Sequence, residues 1–246
     1  AAYYSVNNYI LLTNSGPCGY RFTMDGTCTD GMDDSFRPTR EMTFDEHGHM
    51  FGFFHHRPDG EDILKMDSTG AQLQAFDIET TEFTHTISRV SEGGLAYTGG
   101  HVYLSKVTGP EIYKYSTDGT RISVFGNAPE YYRPLEEDFP ARGTFQPGSP
   151  GMGELMNSFT MPVNLFALDE NLLLLSLSDT EAQSGLQIYD TDGDLLAEAH
   201  GFETWIKHAE QGRAYVVTHP EAREDGTVPN PSIKVYRYTG PQSRQF

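Results

Sequence analysis

The chain has 246 residues, 37% of them hydrophobic and 12% aromatic, which is enough to build a packed core and argues against disorder. With 17 basic against 35 acidic side chains the net charge is -18, a field that repels phosphate backbones and excludes nucleic acid as an expected partner, while tolerating cations and basic partners. The longest apolar run, Leu172 to Leu175, is strand-sized and far short of the roughly 18 residues that a membrane-spanning helix needs.

In chain order, Tyr3–Val6 and Tyr9–Leu12 read as strands, followed by Gly19–Met24 and an Asp25-Gly26 turn. Glu41–Phe44, His49–His56, Asp62–Met66 and Leu73–Ile78 form a second group, broken by turns at Asp45–Gly48 and around Gly70. Leu95–Tyr97, His101–Leu104, Ile112–Tyr115 and Ile122–Phe125 repeat that plan, with turns at Thr98-Gly99-Gly100 and Asp118-Gly119. Val163–Leu168, Leu172–Leu177, Leu186–Asp190 and Leu195–Ala199 repeat it again. Trp205–Lys207, Ala214–Thr218 and Ile233–Tyr238 begin a fifth group, with little room for a fourth strand before Phe246.

The best-defined hairpin is Leu186–Leu196, where Asp192-Gly193 has the composition of a two-residue turn. Aligning its glycine with Gly26, Gly70, Gly119 and Gly240 gives steps of about 44 to 49 residues, with one long step of about 74, the rhythm of propeller blades of four strands each. No helical period competes with this pattern. The expected fold is all-β: a single β-propeller domain over residues 1–246, of five to six four-stranded antiparallel blades.

The long step contains residues 127–159, rich in proline, glycine and acid. A loop of that length inside a compact domain is usually functional or mobile. Within it Tyr131, Tyr132 and Arg133 are the candidate binding residues, being of types favoured at interfaces and lying outside the repeat. Tyr113, Tyr115, Tyr189, Tyr236 and Tyr238 belong to the repeat and are expected to pack between blades, and Trp205 in a core.

Cys18 and Cys28 are the chain's two cysteines. They could form a disulfide in an exported protein, but a regular hairpin tipped at Asp25-Gly26 would hold them too far apart, so a bridge requires an irregular loop.

The repeated element of Ile112–Gly126 resembles NHL-type propellers. The run Gln146-Pro147-Gly148-Ser149-Pro150-Gly151-Met152-Gly153-Glu154-Leu155 is similar to a segment of the six-bladed propeller proteins common in Bacteroidota. The resemblance implies a fold and an exported, periplasmic or cell-surface location, and no particular chemistry. The chain departs from it in showing about five units.

His47, His49, His55 and His56 cluster beside Asp45 and Glu46, yet their spacing does not compose a zinc site. Asp190–Asp194 resembles the start of a calcium loop but lacks the glutamate that such a loop ends on, Gly201 standing there. Glu41, Asn164 and His208 fall on or near inner strands, where the carboxylate and amide ligands of a propeller lactonase would converge. The resulting expectation is a non-catalytic interaction module with no cofactor, calcium or another divalent ion being the one open to it. It binds a protein partner or extracellular assembly through a channel mouth and the inserted loop. The alternatives are a metal-dependent propeller hydrolase, lactonase or lyase, and a structural subunit of a larger assembly.

Overall fold

The computed structural model describes residues 2–4, 9–13, 19–23, 27, 41–57, 60–78, 93–135, 157–181, 183–202, 206–218, 220, 223 and 226–240. Cys18, Cys28, Trp205, the Asp25-Gly26 turn and residues 136–156 of the insertion lie outside them.

Eighteen strands and no helix occur among the described residues. They form five antiparallel sheets in chain order. The first contains β1 (Ala2–Tyr4), β2 (Tyr9–Thr13) and β3 (Gly19–Thr23). The second contains β4 (Met42–Phe44), β5 (Met50–Arg57), β6 (Gly60–Met66) and β7 (Gln72–Ile78). The third contains β8 (Gly94–Thr98), β9 (His101–Ser105), β10 (Ile112–Ser116) and β11 (Arg121–Phe125). The fourth contains β12 (Met161–Asp169), β13 (Leu172–Ser178), β14 (Ser184–Asp190) and β15 (Leu195–Phe202). The fifth contains β16 (Ile206–Glu210), β17 (Arg213–Thr218) and β18 (Ser232–Arg237). Each sheet is a simple meander, and the first strands contact one another in succession: β1 with β4, β4 with β8, β8 with β12 and β12 with β16. Pro162 sits in β12 because a first strand has one hydrogen-bonded neighbour, and a missing N–H on its open side costs no ladder bond.

Period-two alternation explains the core. Leu173, Leu175 and Leu177 point to the third sheet, where they meet Ala96, Tyr103 and Ile112. Leu172 and Leu174, on the opposite face of β13, meet Ile206, Ala209, Ala214 and Val216 of the fifth sheet. A strand buried on both faces therefore reads as the uninterrupted run Leu172–Leu175. Phe51, Phe53, Ile63 and Phe76 likewise pack on Leu95, Val102, Leu104 and Tyr115 between the second and third sheets.

The turn between third and fourth strands differs from the expected two-residue form. Asp190 N bonds Asp194 O at 3.1 Å and Gly193 N bonds Asp190 O at 3.2 Å, so the loop is Thr191-Asp192-Gly193, with Gly193 at φ 102. This is a three-residue turn with a bulge, the form selected when a single glycine closes the loop in the left-handed region. The same bonds join Asp67 to Ala71 and Gly70, and Ser116 to Thr120 and Gly119. The register slips at the matching place in all three sheets, beside Met66, Tyr115 and Tyr189. The calcium-like reading of Asp190–Asp194 is resolved by the same geometry, because Asp190 Oδ1 accepts the amides of Asp192, Gly193 and Asp194.

These tips also tie one sheet to the next. Lys65 Nζ donates to Thr117 O at 3.2 Å, and Lys114 Nζ to Thr191 O at 2.8 Å. Gly119 rests on the Phe76 ring and Gly193 on the Phe125 ring so closely that an added Cβ would lie 2.7 Å from each.

Candidate functional site

The insertion leaves the third sheet after Phe125 and runs first along the fourth. Asn127 N donates to the Tyr189 hydroxyl at 2.9 Å, and Asn127 O accepts Gln187 Nε2 at 3.0 Å. Tyr189 donates in turn to Gln187 Oε1 at 2.9 Å, and Gln187 Nε2 reaches Glu198 Oε2 at 2.7 Å. Gln187 and Tyr189 are both wholly buried. A buried amide that keeps both its oxygen and its nitrogen occupied holds its partners firmly, since breaking any bond would strand a desolvated dipole.

Further along, the two ends of the insertion close on each other. Arg133 N donates to Thr160 Oγ1 at 2.9 Å, and Thr160 N donates to Arg133 O at 2.8 Å. Thr160 is fully buried, so the neck is anchored while the Arg133 side chain is exposed.

Between these anchors Tyr131 turns onto the fourth sheet. Its ring stacks on His200 with centroids 3.8 Å apart and planes 14° from parallel. Its hydroxyl lies against Gly185, where any side chain would collide with it. His200 Nε2 meets Asp179 Oδ2 at 2.7 Å, and Asp179 Oδ1 accepts the amides of Glu181 and Gln183, both at 2.8 Å. Glu130, Tyr131, Glu198, Ala199 and His200 line a pocket of about 370 Å³.

Charge and burial set the protonation states here. Burial pushes the Asp179 carboxyl up, but the amides of Gln183 and Glu181 and the His200 ring outweigh it, leaving the group below the usual carboxylate range. Burial raises the Tyr131 phenol well above its ordinary value, with the Glu198 and Asp179 charges adding to the shift. Burial also raises Tyr132, assisted by Glu111. The phenols therefore stay neutral, and the pocket presents carboxylates beside a stacked aromatic pair.

Of the expected binding residues, Tyr131 forms the pocket wall, Tyr132 is half-buried and does not line the pocket, and Arg133 faces solvent at the neck with Nη1 3.4 Å from Tyr132 O. Tyr131 is thus a docked side chain rather than a free loop aromatic. Among the repeat tyrosines Tyr115 and Tyr189 are buried between sheets as expected, whereas Tyr236 is 46% exposed. Gln187, Glu198, His200 and Asp179 were not anticipated. The first three had a signal, because they stand where the neighbouring repeat carries Tyr113, Val124 and Gly126. A buried glutamine in an apolar register position marks a place where the pattern serves something other than packing.

The histidine cluster near Asp45 resolves into turn structure. Asp45 Oδ1 accepts the amides of His47 and His49, and Asp45 Oδ2 meets His49 Nδ1 at 2.7 Å. Burial pushes the Asp45 carboxyl up, but the His49 ring and amide outweigh it and the group lies below its ordinary value. Glu46 accepts the Tyr97 hydroxyl, a bond that lowers its own pKa. The side chains of His55 and His56 lie outside what is described. His208 pairs with Glu210 at 3.5 Å on its own strand, and Asn164 is half-buried on β12. Among the described residues no group of three histidine, cysteine, aspartate or glutamate side chains is placed to hold a metal ion. No helix of the described residues is long and apolar enough to cross a membrane.

No protein-family model and no curated protein matches the chain. Solved structures do. A Bacteroides fragilis protein given a provisional assignment as exported superposes with a TM-score of 0.56 at 10% identity, over 88% of this chain and 64% of its own. BBS1N, solved in complex with ARL6DN, gives 0.52 at 8% identity over 88% and 59%. The WD40 domain of Toxoplasma gondii coronin gives 0.50 at 6% identity over 96% and 58%. WD40 repeats build radial rings of four-stranded sheets. The fold is that of a β-propeller. At these identities the likeness concerns fold alone, and the chain spans about three fifths of the length of these propellers.

Proposed function

We propose that this chain is an interaction module: a single propeller domain of five or six NHL-like blades, exported or displayed at the cell surface, that binds a protein partner through its insertion. The observation that carries the reading is the pocket at the insertion's neck. Glu198 is fixed by buried Gln187, His200 by buried Asp179, and Tyr131 is stacked between sheet and loop. Walls held in one geometry before a ligand arrives lose little entropy on binding. The exposed carboxylates of Glu130 and Glu198, on a chain of net charge -18, favour a cationic group, such as an arginine or lysine side chain of the partner. Tyr132 and Arg133 would extend the contact along the neck. Export is supported by the Bacteroides fragilis neighbour, and protein binding by the complex in which BBS1N was solved.

Titration with an arginine-rich peptide, a lysine-rich peptide and an acidic peptide of equal length tests the reading. The basic peptides should bind more weakly as salt rises. The double variant Glu130→Gln/Glu198→Gln should lose about tenfold or more in affinity, on the order of 1.4 kcal/mol. Equal binding of the acidic peptide, or unchanged affinity in the double variant, would refute the cationic pocket.

A further inference from the structure

The fifth sheet carries the opposite charge to the sheet beside it. Residues 161–202, the fourth sheet and its turns, contain no lysine or arginine. In β16–β18, by contrast, Lys207, Arg213, Lys234 and Arg237 stand against one carboxylate, Glu210, although the chain as a whole has a net charge of -18. The register of β17 and β18 sets Arg213 directly opposite Arg237, and like charges so placed repel. Glu210 lies across from Arg213 on β16, but its carboxylate is 3.5 Å from His208. Among the described residues no carboxylate forms an ion pair with either arginine.

Both arginines end an apolar stripe. Ala214 and Val216 face the fourth sheet, so alternation puts Arg213, Tyr215 and Val217 on the other face, with Arg237, Val235 and Ile233 beside them. Ile233 is 67% exposed and Val235 55%. In the second and third sheets the third strand is flanked by a fourth, and Ile63 and Ile112 there are wholly buried.

The backbone of β18 supplies a means of covering the stripe. Tyr238 N donates to Gly212 O, so the even-numbered amides of β18 turn to β17 and those of Ile233, Val235 and Arg237 turn outward. An exposed apolar strand with an outward row of donors and acceptors is a template for another strand. We propose that β18 binds an extended acidic segment of a partner protein as the next strand of the fifth sheet, antiparallel like the rest of that sheet. Main-chain bonds to Ile233, Val235 and Arg237 hold the segment, and its side chains select it. Reading along the segment, a carboxylate meets Arg237 and Arg213, and apolar residues two and four places further on meet Val235 and Ile233. This surface is separate from the pocket at the insertion, which selects the opposite charge.

The probe is a labelled peptide in which a glutamate is followed, two and four places on, by valines, with threonine between. It should bind the full chain. Replacing the glutamate by lysine, methylating the backbone nitrogens of the valines, or introducing Arg213→Gln/Arg237→Gln should each weaken binding about tenfold or more. Glu130→Gln/Glu198→Gln should leave it unchanged, which separates this surface from the pocket. An all-glutamate peptide offers nothing apolar to Ile233 and Val235 and should bind no better than the lysine form. Amide hydrogen exchange reads the strand directly. Val235 should exchange fast in the free chain and about tenfold or more slowly with the peptide bound, while Leu173 in the fourth sheet stays constant and reports an intact fold. Equal binding of the lysine form, indifference to methylation, or unchanged affinity in the arginine variant overturns the proposal. Slow exchange of Val235 without peptide overturns it too. If that protection is present at every concentration, the chain covers its own edge; if it grows with concentration, a second copy does.

Discussion

The junction between the second and third sheets and that between the fourth and fifth are built differently. At the first, Lys65 reaches Thr117 O and Phe76 lies under Gly119; the junction of third and fourth sheets copies this with Lys114, Thr191, Phe125 and Gly193. At the last junction Ile188 and Ala199 occupy the lysine and phenylalanine positions, and Ile188, like Leu196 and Tyr238, packs against the buried cluster around Leu172, Leu174, Ala214 and Val216 instead. A cation on a turn carbonyl and a glycine on an aromatic face fix the relative height of two sheets, because both contacts are directional. Aliphatic packing alone fills the gap without fixing its register. The repeat is therefore a family of junctions of graded definition.

The comparison can be broken from its strongest point downward. Phe76→Ala turns the best-defined junction into one like the last, emptying a ring that is 2% exposed, and should cost about 3–5 kcal/mol in denaturant unfolding. A loss under about 1 kcal/mol would mean that the neighbouring sheets collapse into the space.

Gly193→Ala and Gly212→Ala separate backbone strain from steric contact. Both glycines have positive φ, 102 and 70, but only Gly193 has a neighbour in the way, Phe125 at 2.7 Å from the added Cβ. The second variant should cost about 1 kcal/mol and the first about 2–3. Equal costs would show that the tip does not bear on the ring.

The smallest effect concerns the pocket and is read through pH. The Asp179 carboxyl lies below its ordinary value of 3.8 in the folded chain, so its contribution is complete at neutral pH and is lost as pH falls through the lowered value. Asp179→Asn should cost about 1–2 kcal/mol at pH 7, and the difference from the parent should shrink below pH 4. A difference that stays constant down to pH 2 would assign the cost to loop geometry instead of charge.

The chain's own pattern carried the strands well, because a sheet packed on both faces leaves a legible signature in alternation and in the glycine that closes each turn. It carried the turn type less well. Asp192-Gly193 suits a two-residue loop by composition, and the bulge beside Tyr189 depends on how the outer strand twists against its neighbour. The pocket was legible in part. Tyr131 stood out by lying in the insertion, whereas Asp179 and His200 lie about twenty residues apart in the chain and meet only because β14 and β15 bring Gly185 beside His200.

By itself, then, the sequence determined the all-β class, the recurring hairpin and the place where the rhythm is interrupted, since each rests on neighbours within a few residues. Tertiary structure alone decided that Tyr131 stacks on His200, that Asn127 docks on Gln187 and Tyr189, and that Arg133 and Thr160 close the insertion. Those contacts join residues far apart along the chain, and no local pattern encodes a distance that only the packing of whole sheets brings into being.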